Sequence, residues 1–157
     1  MLKKLPLLLA GVALIGAGCV PTIMPTATGP TPTPHVLDLS GSGLQSVPSY
    51  VFGMVELEEL DLSDNRLTGA LPGEIRHLQN LRVLDASGNR MTGVPAEIGQ
   101  LSKLETLDLS DNDLTGLPME LGNLTSLRRL DLRGNDISRQ DLDAIRARLK
   151  NTEILAD

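Results

Sequence analysis

Five aspartates recur at one place in a repeated phrase of the sequence, each directly after a leucine: Asp38, Asp61, Asp85, Asp108 and Asp131. A column of carboxylates can bind the amino or guanidinium groups of a partner, it can coordinate a divalent cation, or it can stand in water without a ligand. Calcium takes six or more oxygen ligands, which parallel strands alone rarely supply. All three interpretations are open at this stage.

Two further columns accompany the aspartates. A serine follows two residues later in four phrases and an arginine in the last, while the position two residues before the aspartate is mixed. Together these columns predict a face that is acidic along its midline and basic at its C-terminal end. The candidate partner-binding residues are Asp38, Ser40, Glu59, Asp61, Ser63, Asp85, Ser87, Thr106, Asp108, Ser110, Arg129, Asp131 and Arg133.

The elements that position this face are set by a repeat. Leu57, Leu81, Leu104 and Leu127 each begin a unit, at spacings of 24, 23 and 23 residues. Within a unit, apolar and polar residues alternate as in the segment 60–63, which predicts a half-buried strand whose leucines face the core. The aspartates then share one face of neighbouring strands about 4.8 Å apart.

The rest of each unit turns and returns. Asn65 closes a turn after the strand, and the matching Asn89, Asn112 and Asn135 are expected to form a hydrogen-bonded ladder behind it. After a proline, a short return segment points two apolar residues inward. These pairs are Val51 and Met54, Ile75 and Leu78, Ile98 and Leu101, and Leu121 and Leu124.

The pattern L-x-x-L-x-L-x-x-N-x-L at this period resembles the leucine-rich repeat family, between its 24-residue plant-type class and a 23-residue class. The resemblance covers residues 34–157 as five full repeats and a partial closing one, "TEILAD". It implies an α/β solenoid: an arc with short parallel concave strands and an irregular or short-helical convex side. Leucine-rich repeats usually bind proteins, so it also implies a binding module.

The two ends of the repeat array differ. Ser138 with Asp141 three residues later resembles a capping box, and the apolar residues that follow have helical spacing, which predicts a C-terminal capping helix. They are Leu142, Ile145 and Leu149. At the N-terminal end, Tyr50 and Phe52 either shield the open edge of the core or form a small exposed apolar contact.

The N-terminal segment predicts export. Lys3 and Lys4 precede an apolar stretch of about 14 residues, which is shorter than the ~20 residues of a membrane-spanning helix and indicates a signal peptide over residues 1–18. Cys19 follows Ile15-Gly16-Ala17-Gly18, which resembles the lipobox of bacterial lipoproteins and implies lipidation of this cysteine. The alternative is an ordinary signal peptide followed by an incidental cysteine.

A linker rich in proline and threonine follows over residues 19–33, and we expect it to be semi-extended. The predicted localisation is an exported protein, lipid-anchored to a bacterial membrane and facing the periplasm or the cell surface. Removal of residues 1–18 leaves 12 basic and 20 acidic residues, a net charge of −8. This charge disfavours nucleic acid and anionic membrane surfaces as partners.

Sequence constellations for catalysis or metal binding are weak. His35 and His77 lack a third ligand nearby, and the segment 111–116 imitates the start of a calcium loop but places Gly122 where the loop needs glutamate. The single cysteine excludes an intrachain disulfide framework. We therefore expect no enzyme activity, catalytic residue, metal or cofactor.

The sequence predicts a monomeric binding module that recognises a basic or polar protein and contacts a membrane only through its lipid. The alternative is a structural envelope protein or a surface-exposed host- or cell-contact lipoprotein without a specific ligand. One percent of the residues are aromatic, so the predicted interface lacks bulky anchors and should be sensitive to salt.

Overall fold

A computed structural model describes residues 35–157, so the predicted signal peptide, Cys19 and the linker lie outside the described residues. The strands are β1 (Val36–Asp38), β2 (Glu59–Asp61), β3 (Thr68–Ala70), β4 (Val83–Asp85), β5 (Arg90–Gly93), β6 (Thr106–Asp108), β7 (Arg129–Asp131) and β8 (Glu153–Leu155). Four 3-10 helices span Ser49–Gly53, Gly73–His77, Ala96–Gln100 and Met119–Asn123, and the helix α1 spans Arg139–Arg148. Within residues 35–157, no helix has the length and apolar character needed to cross a bilayer.

Six strands form one sheet in the order β1-β2-β4-β6-β7-β8, and every neighbouring pair is parallel. The leucines of successive repeats are register partners, and Leu60, Leu84, Leu107 and Leu130 are each at most 1% exposed. The prediction of neighbouring parallel strands whose leucines face the core is therefore confirmed. Because each repeat contributes one strand and one inward face, neighbouring repeats bury each other's leucines.

The predicted return segments are 3-10 helices. Each one follows a proline, which is extended at Pro95 for example, and ends with a hydrogen bond from the N–H of the next residue, Met54 or a leucine, to a carbonyl three residues earlier. Ile75 and Leu78 are at most 1% exposed, and the equivalent pairs are buried except for the half-buried Met54. The core therefore lies between the sheet and the 3-10 helices.

A second, two-stranded parallel sheet is absent from the sequence-based prediction. It pairs β3 with β5, just after the asparagine turns of the second and third repeats. The sequence predicts a turn at Thr68-Gly69, and Gly69 does have the positive φ of 70° that glycine adopts without steric cost. Both residues nevertheless belong to β3, because the neighbouring repeat supplies a second extended segment to pair with it.

The C-terminal segment forms the helix α1, which packs against the 3-10 helix Met119–Asn123. Ser138 Oγ accepts a hydrogen bond from Asp141 N at 3.1 Å, which is one of the two bonds of a capping box, while Ser138 N donates to Thr115 O at 3.3 Å. Leu142 and Ile145 are buried. The strand β8 follows the helix and pairs with β7, so the partial repeat continues the large sheet.

The two aromatic residues separate. Phe52 is 8% exposed and belongs to the hydrophobic core, whereas Tyr50 is 59% exposed. Position within the short 3-10 helix explains the difference, because its inward side holds Val51 and Phe52 and its outward side holds Tyr50. One aromatic residue therefore covers the core, and the other remains a single exposed apolar side chain.

Candidate functional site

Asparagine side chains hold the repeats in register. Asn89 Nδ2 donates to Leu62 O at 3.0 Å in the preceding repeat and to Ala86 O at 3.1 Å in its own repeat. Asn89 Oδ1 accepts from Leu67 N at 3.0 Å. Asn65, Asn112 and Asn135 repeat this pattern. The predicted ladder is confirmed, and its bonds run from each amide to the backbone of two repeats.

The aspartate column lies on the side of the sheet opposite the buried leucines. We call the three columns of candidate residues, at the positions of Glu59, Asp61 and Ser63 in each repeat, the sheet face. Its aspartates are direct register partners from β1 through β7. The structure therefore brings the predicted residues together in one continuous strip across five parallel strands.

Four aspartates share one local bonding pattern. In each, Oδ1 accepts from the backbone N–H of the serine two residues later at 2.8–3.0 Å and from that serine's Oγ at 2.6–2.7 Å. The aspartate thus satisfies a backbone donor at the end of each strand, as in an Asx turn. These pairs are Asp38 and Ser40, Asp61 and Ser63, Asp85 and Ser87, and Asp108 and Ser110.

The second oxygen of these four carboxylates is differently placed. Oδ2 makes no hydrogen bond to any of the described residues, so it is available to solvent or to a partner. Asp38 is exposed, and the other three are half-buried. The two bonds from Ser40 lower the pKa of Asp38 below its ordinary value, with the hydroxyl bond as the larger cause.

The fifth aspartate differs because an arginine replaces the serine. Arg133 Nε and Nη2 donate to the two oxygens of Asp131 at 2.9 and 2.6 Å, and Arg129 Nη2 donates to Oδ2 at 3.1 Å. The Asp131 side chain is 1% exposed. The hydrogen bond from Arg133 is the main cause that lowers the pKa of Asp131, and the same bond raises the pKa of Arg133.

This geometry corrects one sequence-based assignment. Asp131 was predicted to contact a partner as part of an acidic midline, but its buried carboxylate is covered by Arg129 and Arg133. Long guanidinium side chains fold back over a neighbouring carboxylate where a serine is too short to cover it. The C-terminal end of the sheet face therefore presents two guanidinium groups, and its acidic part ends at Asp108.

The third column gives the N-terminal half of the face an apolar component. Val36 is 57% exposed, and Val83 is half-buried two repeats later, with the exposed Glu59 between them. A depression of about 260 Å³ lies here, lined also by Asp38, Asp61 and Asp85. Aliphatic groups beside carboxylates suit a lysine or arginine side chain, whose stem is apolar and whose tip is cationic. Further along, Thr106 is half-buried and Arg129 is exposed.

Glycine and aspartate alternate in the tight turn after each strand: Gly41, Asp64, Gly88, Asp111 and Gly134. All five have positive φ, between 52° and 70°. A Cβ atom at Gly88 would lie 2.6 Å from Oδ1 of Asp64 in the preceding repeat, so the aspartate occupies the space that the glycine leaves open. The turns therefore fit together in pairs of repeats.

A second column of polar side chains lies along the edge where the chain enters the strands: His35, Glu58, Arg82, Glu105 and Arg128. From Glu58 to Arg128 the charges alternate in sign. The nitrogen and oxygen atoms of successive side chains in this column are separated by 3.3, 4.0, 2.8 and 3.6 Å. The sequence prediction omitted this edge column. The sequence does contain this pattern, because the residue after the first leucine of each unit alternates between acidic and basic.

The residues that the sequence offered as weak candidates for metal binding or catalysis do not come together in one site. Across residues 35–157, no group of three histidine, cysteine, aspartate or glutamate side chains has a spacing that suits a metal ion. Leu114 and Leu117 are buried in the core, as expected from their place in the repeat. His77 is exposed in the 3-10 helix Gly73–His77, on the opposite side of the core from the sheet.

A parallel sheet built from one short strand per repeat, with asparagine turns and 3-10 return segments, defines a leucine-rich repeat solenoid. The chain belongs to the leucine-rich repeat family, since a model of a leucine-rich repeat region matches residues 33–152. This fold is typically a non-enzymatic binding scaffold, and its members commonly mediate protein–protein interactions.

Known proteins share parts of this array. Receptor-like protein 41 from Arabidopsis thaliana is 49% identical over 61 residues, which make up 38% of this chain and 7% of that protein. A leucine-rich repeat protein from Leptospira interrogans is 35% identical, with a TM-score of 0.60 over 71% of this chain and 34% of that one. A chain of the BIR3–SERK2 complex from Arabidopsis thaliana is 40% identical, with a TM-score of 0.58 over 65% and 56% of the two chains. The chain therefore spans about half or less of these proteins.

Proposed function

We propose that this chain is a lipid-anchored, non-enzymatic module that binds a basic or polar protein through the sheet face, as a monomer. One observation carries the proposal. Four in-register aspartates keep Oδ2 free of bonds within the described residues, beside the exposed aliphatic group of Val36. The complex of BIR3 with SERK2 shows that proteins with a similar fold assemble with protein partners.

The chemistry of the face favours a cationic segment laid across the strands. A basic side chain at the N-terminal half can place its stem against Val36 and Val83 and its tip near Asp61. Arg129 and Arg133 at the other end repel a uniformly basic partner. The partner we infer is therefore basic toward β1 and neutral or acidic toward β7, which fixes its direction along the array.

The test replaces three free carboxylates by amides, as Asp61→Asn, Asp85→Asn and Asp108→Asn in one chain. Asparagine keeps the oxygen that accepts from the following serine, so the strand ends remain capped. Exposed charge pairs contribute about 0.2–1 kcal/mol each, so affinity should fall about 3- to 150-fold. The partner is first captured in intact cells through a photoreactive residue at position 106, and its affinity is then measured by calorimetry at two salt concentrations.

A matched control carries the same change of charge elsewhere. Asp113, Asp136 and Asp143 are exposed and lie outside the sheet face. Their replacement by asparagine should leave the affinity unchanged. If the control and the sheet-face variant weaken binding equally, recognition depends on net charge alone. If neither weakens it, the sheet face is not the binding site, and a spacer role without a specific ligand is favoured.

We also propose that residues 1–18 are removed, that Cys19 carries the lipid, and that a linker over residues 19–33 holds the repeats of residues 34–157 away from the membrane. A cysteine with two or more acyl chains anchors far more firmly than one with a single chain, since each buried CH₂ contributes ~0.8 kcal/mol. The variant Cys19→Ala should either move from the detergent phase to the aqueous phase or remain unprocessed, with residues 1–18 still attached, whereas Val20→Ala should do neither. A Cys19→Ala variant that both partitions and migrates in electrophoresis like the unmodified chain would contradict the anchor.

A further inference from the structure

A depression with a basic lining lies away from the sheet face, where the chain enters β4, β6 and β7. A depression of about 430 Å³ opens there, and its lining includes Arg82, Lys103, Glu105, Thr125, Arg128 and Asn151. We call it the basic depression. Its volume falls within the roughly 300–1,000 Å³ that is common for small-molecule sites.

One carboxylate positions two guanidinium groups in the basic depression. Arg82 Nε and Nη2 lie 3.0 and 2.8 Å from Glu105 Oε1, and Arg128 Nε lies 3.6 Å from Glu105 Oε2. The hydrogen bond to Glu105 is the main cause that raises the pKa of Arg82, so this group stays cationic. Arg82 and Arg128 keep further N–H donors, and their side chains are 53% and 80% exposed.

The third cation has no anionic partner. Lys103 Nζ donates to the neutral Asn80 Oδ1 at 2.7 Å, and no carboxylate of residues 35–157 lies within 4.0 Å of it. Within the lining of the basic depression, three cations face the single carboxylate of Glu105, which gives the lining a charge of +2, although residues 35–157 carry a net charge of −8. Glu58, whose Oε2 lies 4.0 Å from Arg82 Nη1, stands outside this lining. Thr125 and Asn151 add neutral hydrogen-bonding groups to the rim.

We propose that the basic depression binds a phosphate dianion, either inorganic phosphate or a phosphate monoester. Two charges on the ligand balance the local excess. Guanidinium groups match the oxygens of phosphate by forming paired hydrogen bonds, and the lysine adds a point charge. A monocarboxylate leaves one charge unbalanced and offers fewer acceptor oxygens to three cationic groups.

This site is independent of the sheet face. The residues of the basic depression precede the strands or lie in the return loops, and none of them belongs to the three columns of the sheet face. Loss of phosphate binding and loss of protein binding can therefore be measured on separate variants. Failure of one proposal leaves the other standing.

The test titrates the full chain with inorganic phosphate by calorimetry at low salt and about pH 8, where phosphate is mainly a dianion. The variant Lys103→Gln with Arg128→Gln removes two of the three cations, and we expect its affinity to fall at least about tenfold, because hydrogen bonds to charged groups are strong. Both side chains are exposed, so the fold should tolerate the change. Its unfolding temperature is measured in parallel.

The control variant is Arg66→Gln with Arg90→Gln, which makes the same change of net charge at exposed positions outside the basic depression. We expect its affinity to stay within about twofold of the unmodified chain, because distant exposed charges are screened. A second arm replaces free phosphate by phosphatidylcholine vesicles with and without phosphatidic acid, whose headgroup is a phosphate monoester.

Three outcomes decide the proposal. Saturable binding of inorganic phosphate that is lost only in the depression variant supports a soluble phosphate ligand. A gain in vesicle binding that depends on phosphatidic acid and is lost in the same variant, without binding of inorganic phosphate in solution, supports a headgroup phosphate. Absence of binding in both arms, equal losses in the two variants, or unchanged affinity of the depression variant overturns the proposal.

Discussion

The asparagine ladder makes the sharpest stability prediction. The substitution Asn89→Ala removes an amide that is 8% exposed and that joins the third repeat to the second. Its Nδ2 donates to three carbonyl groups at 3.0–3.1 Å, and its Oδ1 accepts from Leu67 N at 3.0 Å. Alanine fills the turn without replacing any of these bonds.

The size of the loss in stability depends on which hydrogen bonds remain for the backbone groups that Asn89 contacts. Each of the three carbonyls retains another donor, either the amide of a neighbouring ladder asparagine or a backbone N–H group. Leu67 N has no second acceptor among the described residues, and its residue is 3% exposed. One orphaned buried donor costs about 1–3 kcal/mol, and each lost amide bond about 0.5–1.5 kcal/mol. The free energy of unfolding should therefore fall by about 3 kcal/mol.

The assay is urea unfolding followed by circular dichroism on the full chain. The control is Asn123→Ala, which replaces an exposed asparagine whose side chain makes no hydrogen bond to the described residues. The control should change the free energy of unfolding by less than about 0.5 kcal/mol. A loss below about 1 kcal/mol for Asn89→Ala, or similar losses for the two variants, would refute the assignment of repeat coupling to the ladder.

Two further predictions concern the turns and the buried carboxylate. Gly88→Ala should lower the free energy of unfolding by about 2 kcal/mol, because φ is 62° and the new Cβ would lie 2.6 Å from Asp64 Oδ1. The control in the same urea assay is Gly53→Ala, whose new Cβ has no neighbouring atom within 4 Å. Equal losses for the two variants would refute the steric explanation. Arg133→Ala should weaken the pH dependence of stability, because Arg133 is the main cause of the lowered pKa of Asp131. A lowered folded-state pKa stabilises the protein above the ordinary value of 3.8, and this gain is lost as the pH falls through the folded-state pKa. Urea unfolding at several pH values between about 3 and 6 measures this gain, and an identical pH dependence in both proteins would contradict the assigned cause.

The sequence predicts the inward-facing half of this fold well. Leucine spacing specifies which residues are buried, and the alternation around Leu60 specifies which side of the sheet carries Asp61. The position of Asn65 in the repeat predicts its bonds to backbone groups, because the amide must satisfy donors and acceptors wherever the strand ends. These features depend on burial and on backbone geometry, which a periodic sequence repeats.

The outward-facing half depends on side-chain conformations that the period does not encode. The repeat pattern treats Asp131 and Asp61 as equivalent. Asp131, however, is buried under two arginines, whereas Asp61 accepts a hydrogen bond from the hydroxyl group of Ser63. The strand β3 forms because β5 lies beside it, a contact between repeats that local propensity does not indicate. The sequence thus predicts which residues share a face, but the accessibility of each charge depends on how the neighbouring side chains fold over it.

The alternation of turns and edge charges constrains how the array can change in length. Deleting one repeat between Gly41 and Gly134 would set either two aspartates or two glycines against each other in successive turns. The same deletion at an inner position of the edge column would bring two glutamates or two arginines side by side. Duplication or loss of two adjacent repeats preserves both alternations. The unit by which this solenoid can grow or shrink without new repulsion is therefore a pair of repeats, about 46 or 47 residues of chain.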